Sequence, residues 1–244
     1  MPFLQILFHP ALIVFLTAGF AVQSVQGSVT TDSYAAEYQA EIKGLNVRMH
    51  RSFTVAADQA KIEMKAQKLI FKISESSTLQ IQPDGVLRVQ SYKHNRRNLG
   101  DRHNRDLLFD WQANSVTDSL RPEQDALTLE FPVYDKVSYQ EQFRLDLIEN
   151  PSQQRFEYQT TDGQSVKLYA FDRVTEETIE TPLGELAAVK FKRDRGENST
   201  RETYIWFAKD LGYLLVQLDQ IKDGKLERLV LRKASINGKN VSAN

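Results

Sequence analysis

The chain of 244 residues has no cysteine. That excludes disulfides, thiolate metal sites and a thiol nucleophile. It also closes the bacterial lipoprotein route, which acylates a Cys after the export signal. Glycine and proline are sparse at 11 and 7 residues and are scattered along the chain, so no glycine-rich phosphate loop and no flexible linker is present. No Gly-x-Ser-x-Gly nucleophile elbow occurs, and no repeat of fixed period is visible. Excess charge of one sign is missing as well. With 31 basic and 32 acidic residues the formal net charge is −1, which gives no global attraction to nucleic acid or anionic lipid. Residues 1–27 carry no Lys, Arg, Asp or Glu at all.

That charge-free N-terminus is read as an export signal. Its apolar stretch from Ala11 to Val22 has the length of a secretory core, and small residues place cleavage near 21 or 27. The rival is an uncleaved inner-membrane anchor over Phe3 to Val22, interrupted by His9 and Pro10. The first basic residue is Lys43, preceded by Asp32, Glu37 and Glu41, a flank suited to translocation. The expectation is a signal peptide over 1–27, one β-rich periplasmic domain over 28–236 and a fraying tail over 237–244. At 41% hydrophobic residues, the chain can bury a core.

Alternation of apolar and polar residues predicts strands. It is seen over Tyr34–Ile42, at Ala187, Val189 and Phe191, at Leu214, Val216 and Leu218, and at Leu229 and Leu231. Val137, Tyr139, Phe143, Leu145 and Leu147 follow the same odd-numbered pattern and predict another strand. Pro83-Asp84-Gly85, Asp162-Gly163 and Asp223-Gly224 supply hairpin turns. The pattern is all-β or β-dominated, an antiparallel meander. Pro122–Glu130 reads as a helix, or as a short strand around Leu127 and Leu129. Tyr92–Asp106 reads as a long polar loop.

The residues that could carry chemistry are few. Arg96, Arg97, Arg102 and Arg105 lie in the densest basic run and are candidates for contact with an anion or headgroup. The competing reading is a solvated loop balanced by Asp101 and Asp106. His94, Asp101 and His103 fit none of the compact metal-ligand spacings, so no metal is expected. Asp106, Asp110 and Asp125 do not by themselves make a hydrolase. No catalytic residue and no cofactor is expected. Large side chains fall on both faces of Ser165–Arg173, with Val166 and Leu168 on one and Tyr169 and Phe171 on the other. Such a sheet is covered on both sides or curls round an apolar cavity.

Several segments resemble a family of bacterial exported proteins. Thr181-Pro182-Leu183-Gly184 and the strand Leu186–Arg193 resemble its turn and strand. The run Thr203 to Tyr213, with Trp206, Asp210 and Gly212, resembles its Trp-containing strand. Tyr34–Gly44 and Asp125-Ala126-Leu127-Thr128 resemble earlier elements, with Thr128 in place of the usual Ser and Leu214-Leu215 where Leu-Pro is common. The family is DUF3108, uncharacterised in activity. The resemblance implies a strongly curved antiparallel sheet, an open or half barrel with one or two short helices, similar to the periplasmic lipoprotein carriers LolA and LolB. Fold does not fix function. The expected function is non-catalytic binding of a lipid, acyl chain or lipoprotein. The alternatives are an assembly protein that pairs through a sheet edge and, behind it, a hydrolase of envelope polymers using Asp106, Asp110 or His103.

Overall fold

The computed structural model describes residues 31–42, 45–68, 71–97 and 103–241. The segment read as a signal peptide, and Asp101 and Arg102, lie outside the described residues. The chain forms one large antiparallel sheet in two meanders. The first comprises β1 (Tyr34–Ile42), β2 (Leu45–Ala56), β3 (Gln59–Lys68), β4 (Phe71–Ile81), β5 (Leu87–Arg97), β6 (Arg105–Asp110), β7 (Ser115–Asp118) and β8 (Leu127–Thr128). The second follows β9 (Val133–Tyr134) and the helix α1 (Ser138–Glu149). It comprises β10 (Arg155–Thr161), β11 (Val166–Thr181), β12 (Gly184–Asp194), β13 (Arg201–Ala208), β14 (Leu214–Lys222), β15 (Lys225–Ile236) and β16 (Lys239–Asn240). Pairing of β1 with β15, Tyr34 opposite Ile236, joins the meanders. The sheet therefore runs from β8 through β1 and β15 to β9 and stays unclosed. Among the described residues only β9 and β10 pair in parallel. The Asp-Gly turns fall where the sequence put them, with Gly163 and Gly224 at φ +86° and +74°.

Two expectations change, and one pair of alternatives is resolved. The segment from Val137 to Leu147 is not a strand but α1. Its odd-numbered apolar residues imitate a period of two because the helix is buried almost all round. Tyr139, Phe143 and Leu147, four residues apart, form one apolar stripe, while Glu141, Gln142 and Arg144 are equally buried and each bonds to partners on other elements or on the helix itself. Asp135 and Ser138 bond reciprocally in the turn that leads into the helix. Ser138 N–H donates to Asp135 Oδ1 at 3.0 Å, and Asp135 N–H donates to Ser138 Oγ at 2.9 Å. Of the two readings of Pro122–Glu130, the strand holds: Leu127–Thr128 pairs with β7. The described residues of the polar stretch from Tyr92 are mostly strand, because β5 continues to Arg97 and β6 begins at Arg105. Its polar side chains find partners across the sheet, so composition alone mistook it for a loop. In the tail, Lys239 and Asn240 pair with Ile236 and Ser235.

The core lies between α1 and the concave face of the sheet. Phe143 is fully buried and meets Phe156, Tyr158, Phe171, Phe191 and Phe207, with ring centroids 4.8–5.6 Å apart. Contacts of this kind add about 0.5–1.5 kcal/mol each beyond area burial.

Candidate functional site

Helix α1 plugs one end of the half barrel. Its partners are the first residues of upward-running strands: Tyr34 opens β1, Leu87 opens β5, and Gly212 precedes β14. The Leu87 N–H donates to Gln142 Oε1 at 2.8 Å, and Arg144 Nη1 donates to the Gly212 carbonyl at 3.0 Å. Under Tyr34 lies a buried ionic network. Tyr34 OH donates to Glu141 Oε2 at 2.8 Å and accepts from Arg51 Nε at 2.9 Å, and Arg144 Nε donates to Glu141 Oε1 at 2.5 Å. Arg51 also reaches Gln140 Oε1 at 2.6 Å and the Val137 carbonyl at 3.3 Å. Burial raises the Tyr34 hydroxyl well above its ordinary value. Removing one partner of such a network strands a buried charge, at a cost of about 3–5 kcal/mol. These donors are committed to holding the helix.

The helix leaves the opposite end of the concave face uncovered. A cavity of about 240 Å³ remains there, walled by Tyr38, Met49, Met64, Leu215, Leu218 and Leu229. Arg51 and Gln140 form its inner end, and Gln220 and Glu227 its outer polar edge. Its size falls just below the range of about 300–1,000 Å³ usual for small-molecule sites. It holds roughly eight water-sized groups at about 30 Å³ each, enough for a single short alkyl chain. Two methionines make the wall adaptable.

The structure does not gather the basic run into one site. Arg96 and Arg97, adjacent on β5, lie on opposite faces, and Arg102 is outside the described residues. Arg105 shares the inner face with Arg96, but its Nε donates to the Asp162 carbonyl at 3.0 Å and lies 3.8 Å from Asp118 Oδ2. That residue clips β6 to the β10–β11 turn. His94 Nδ1 sits 3.1 Å from Glu75 Oε1 on the inner face. Burial works to raise the Glu75 carboxyl, but His94, Tyr92 and Lys136 outweigh it and hold the group below its ordinary value. Asp106 pairs with Lys93 at 3.1 Å, and Asp110 accepts from the Gln112 and Ala113 N–H groups in a turn. Among the described residues no group of three or more His, Asp or Glu could hold a metal ion. The two ends of the sheet are strands of two residues each, a short template for edge pairing.

Sequence reasoning missed the arginines at the far end of β12. Phe191 packs on Phe143, and the same face continues two residues on to Arg193. Arg193 Cζ lies 3.3 Å from the centre of the Tyr169 ring, and Tyr169 meets Tyr139 of α1 edge to face at 5.3 Å. Arg195 Nη2 donates to Thr203 Oγ1 at 3.1 Å. The legible signal was the alternation Phe191, Arg193, Arg195, in which an apolar face turns cationic.

An open, strongly curved antiparallel half barrel with a helix plugging one end defines a class of β-barrel-like proteins. The chain belongs to DUF3108, a family described as protein of unknown function, which matches over residues 33–230. It is similar to a solved β-barrel-like protein of the DUF1849 domain from Brucella abortus, 13% identical, with a TM-score of 0.54. That match covers 86% of this chain and 99% of the other. A weaker likeness, TM-score 0.37 at 12% identity, is to the MucA/MucB complex of Pseudomonas aeruginosa, covering 86% of this chain and 54% of that one. At these identities the likeness concerns the fold alone. No match was found among curated proteins. No helix among the described residues is long and apolar enough to cross a membrane.

Proposed function

We propose that this protein is exported to the periplasm and binds, without catalysis, the apolar part of an amphiphilic envelope component. The cavity beside α1 carries the reading. Its wall is mostly hydrophobic, it opens at the end of the half barrel that the helix leaves uncovered, and polar groups rim it. Burying apolar ligand surface there is worth about 25 cal/mol per Å². The filled aromatic core around Phe143 limits the guest to one chain, or one end of a chain. The charge-free segment 1–27 supports export.

The test is native mass spectrometry of the protein from its host's periplasm, followed by extraction. A stoichiometric lipid-like mass is expected. Met49→Trp, which fills the cavity, is expected to abolish it with the unfolding midpoint kept within a few degrees. A bare protein mass under gentle conditions, together with no binding of a neutral alkyl glucoside, would overturn the reading.

A further inference from the structure

We infer that Arg193 and Arg195 form an oxyanion site on the concave face, built to take a phosphate group. The observation is a pair of cations without a counter-charge. Arg51, Arg105, Arg144, Arg155, Arg173 and Arg228 each have a carboxylate within 4.0 Å. Among the described residues neither Arg193 nor Arg195 has one; Arg88 and Arg96 share that lack but stand eight residues apart along β5, whereas Arg193 and Arg195 are two residues apart. Both are half-buried, and the Nε of each is shielded from solvent with no hydrogen-bond partner. Two guanidinium groups held near each other and partly out of water repel, and an oxyanion relieves that cost with charge-assisted hydrogen bonds. Burial, then the charges of Arg193 and Arg201, depress the Arg195 guanidinium, as this crowding requires.

The surroundings are those of a binding site rather than a solvated edge. The Arg193 guanidinium sits over the Tyr169 ring, with Cζ 3.3 Å from its centre, a contact that holds the group in place. Thr203, itself buried, orients Arg195. Arg201, two residues before Thr203 on the same face of β13, adds a third positive charge at the solvent side.

The site adjoins the cavity by two routes. Thr203 pairs directly with Gln220, which lines the cavity. Tyr139, against Tyr169, precedes Gln140 at the cavity's inner end. Glu227 and Arg228 also line the cavity, on β15 and on the side away from Arg193 and Arg195; Arg228 is already paired with Asp219 at 2.7 Å, and Glu227 disfavours an anion on that side. The assignment of the phosphate as a headgroup, with its chain in the cavity, rests on the proposed function. The oxyanion site itself does not.

The experiment measures calorimetric affinities of the full mature chain for octyl phosphate, octyl glucoside and inorganic phosphate. It compares the unmodified protein with Arg193→Gln, Arg195→Gln and, as control, Arg232→Gln, an outer-face arginine bonded to Gln39. Octyl phosphate is expected to bind the unmodified protein and Arg232→Gln alike. Each of the other variants should lose about 10- to 100-fold, while octyl glucoside affinity stays constant. If inorganic phosphate binds as tightly as octyl phosphate with the same losses, the oxyanion site stands and the cavity reading fails. If octyl phosphate binds both arginine variants as well as the unmodified protein, or binds none of the proteins, the oxyanion site is overturned. Circular dichroism of each variant guards against loss of fold.

Discussion

At the residue scale, two buried carboxylates respond to burial in opposite ways. Asp135 is fully buried, accepts from Ser77 Oγ and from the Val137 and Ser138 N–H groups, and is nonetheless pushed up because burial outweighs these bonds. Glu75 ends below its ordinary value despite its burial, because His94 and Tyr92 hold the charged form. The stability contributions therefore have opposite signs. That of Glu75 is fully present above the ordinary carboxylate value of about 4.3 and is lost as pH falls through its lower folded value. That of Asp135 is greatest below about 3.9 and declines as pH rises through its higher folded value. Urea midpoints measured from acid to neutral pH should show it. Glu75→Gln is expected to flatten the loss of stability at the acid end. Asp135→Asn is expected to remove a decline on the rising side. The same slopes in variant and parent would contradict this account. None of it was legible in the sequence, where His94 stood out only as a discarded metal ligand and Asp135 not at all.

At the element scale, the strands and turns announced themselves and the helix did not. A strand with one wet face writes its environment as alternation. A helix inserted into a concave sheet is touched on nearly every side, so its polarity follows its partners and not its period. Glu141 and Arg144 are buried because Arg51 and Tyr34 reach across from β2 and β1, a relation no local pattern encodes. Turn chemistry was more reliable, because the left-handed backbone that favours glycine is a local demand. Its cost still depends on what lies beyond the turn. A Cβ at Gly163 would stand 2.6 Å from Leu107 Cδ2, whereas one at Gly224 would meet nothing within 4 Å. Leu107 is fully buried, so its side chain would have to shift within the packed core. Gly224→Ala is expected to cost roughly 1–2 kcal/mol from backbone strain alone, and Gly163→Ala about 1–3 kcal/mol more from overpacking. Urea unfolding of the two variants measures the difference; equal losses would mean the β10–β11 turn does not press on β6.

At the scale of the whole molecule, two meanders share one sheet and one core. Their continuity rests on the β1–β15 ladder, on α1 and on the Arg105 clip to Asp162. Each half carries one tryptophan. Trp111 donates from Nε1 to the Val89 carbonyl at 2.6 Å, and Trp206 donates to Glu177 Oε1 at 2.6 Å. Trp111→Phe and Trp206→Phe leave one fluorescent reporter in either half. Coincident urea transitions are expected from the two reporters, since neither half can bury its concave face without α1. Separate midpoints would mean that the meanders unfold independently. The same architecture sets the ligand question, because the helix that completes the core occupies most of the space a half barrel would otherwise offer.

The sequence by itself determined the β-dominated class, the positions of the Asp-Gly turns, the family and the absence of thiol chemistry. Each of these depends on residue type or on spacing along the chain. Tertiary structure alone decided what fills the concave face, since that turns on a helix disguised by its own complete burial. It also decided which arginines are committed. The conspicuous basic run is divided between the two faces of β5 and a structural clip, while Arg193 and Arg195, unremarked in the sequence, stand without a carboxylate partner beside the remaining cavity. Charge in a sequence marks where a cation is. Only the approach of strands distant in sequence decides whether it has already been neutralised.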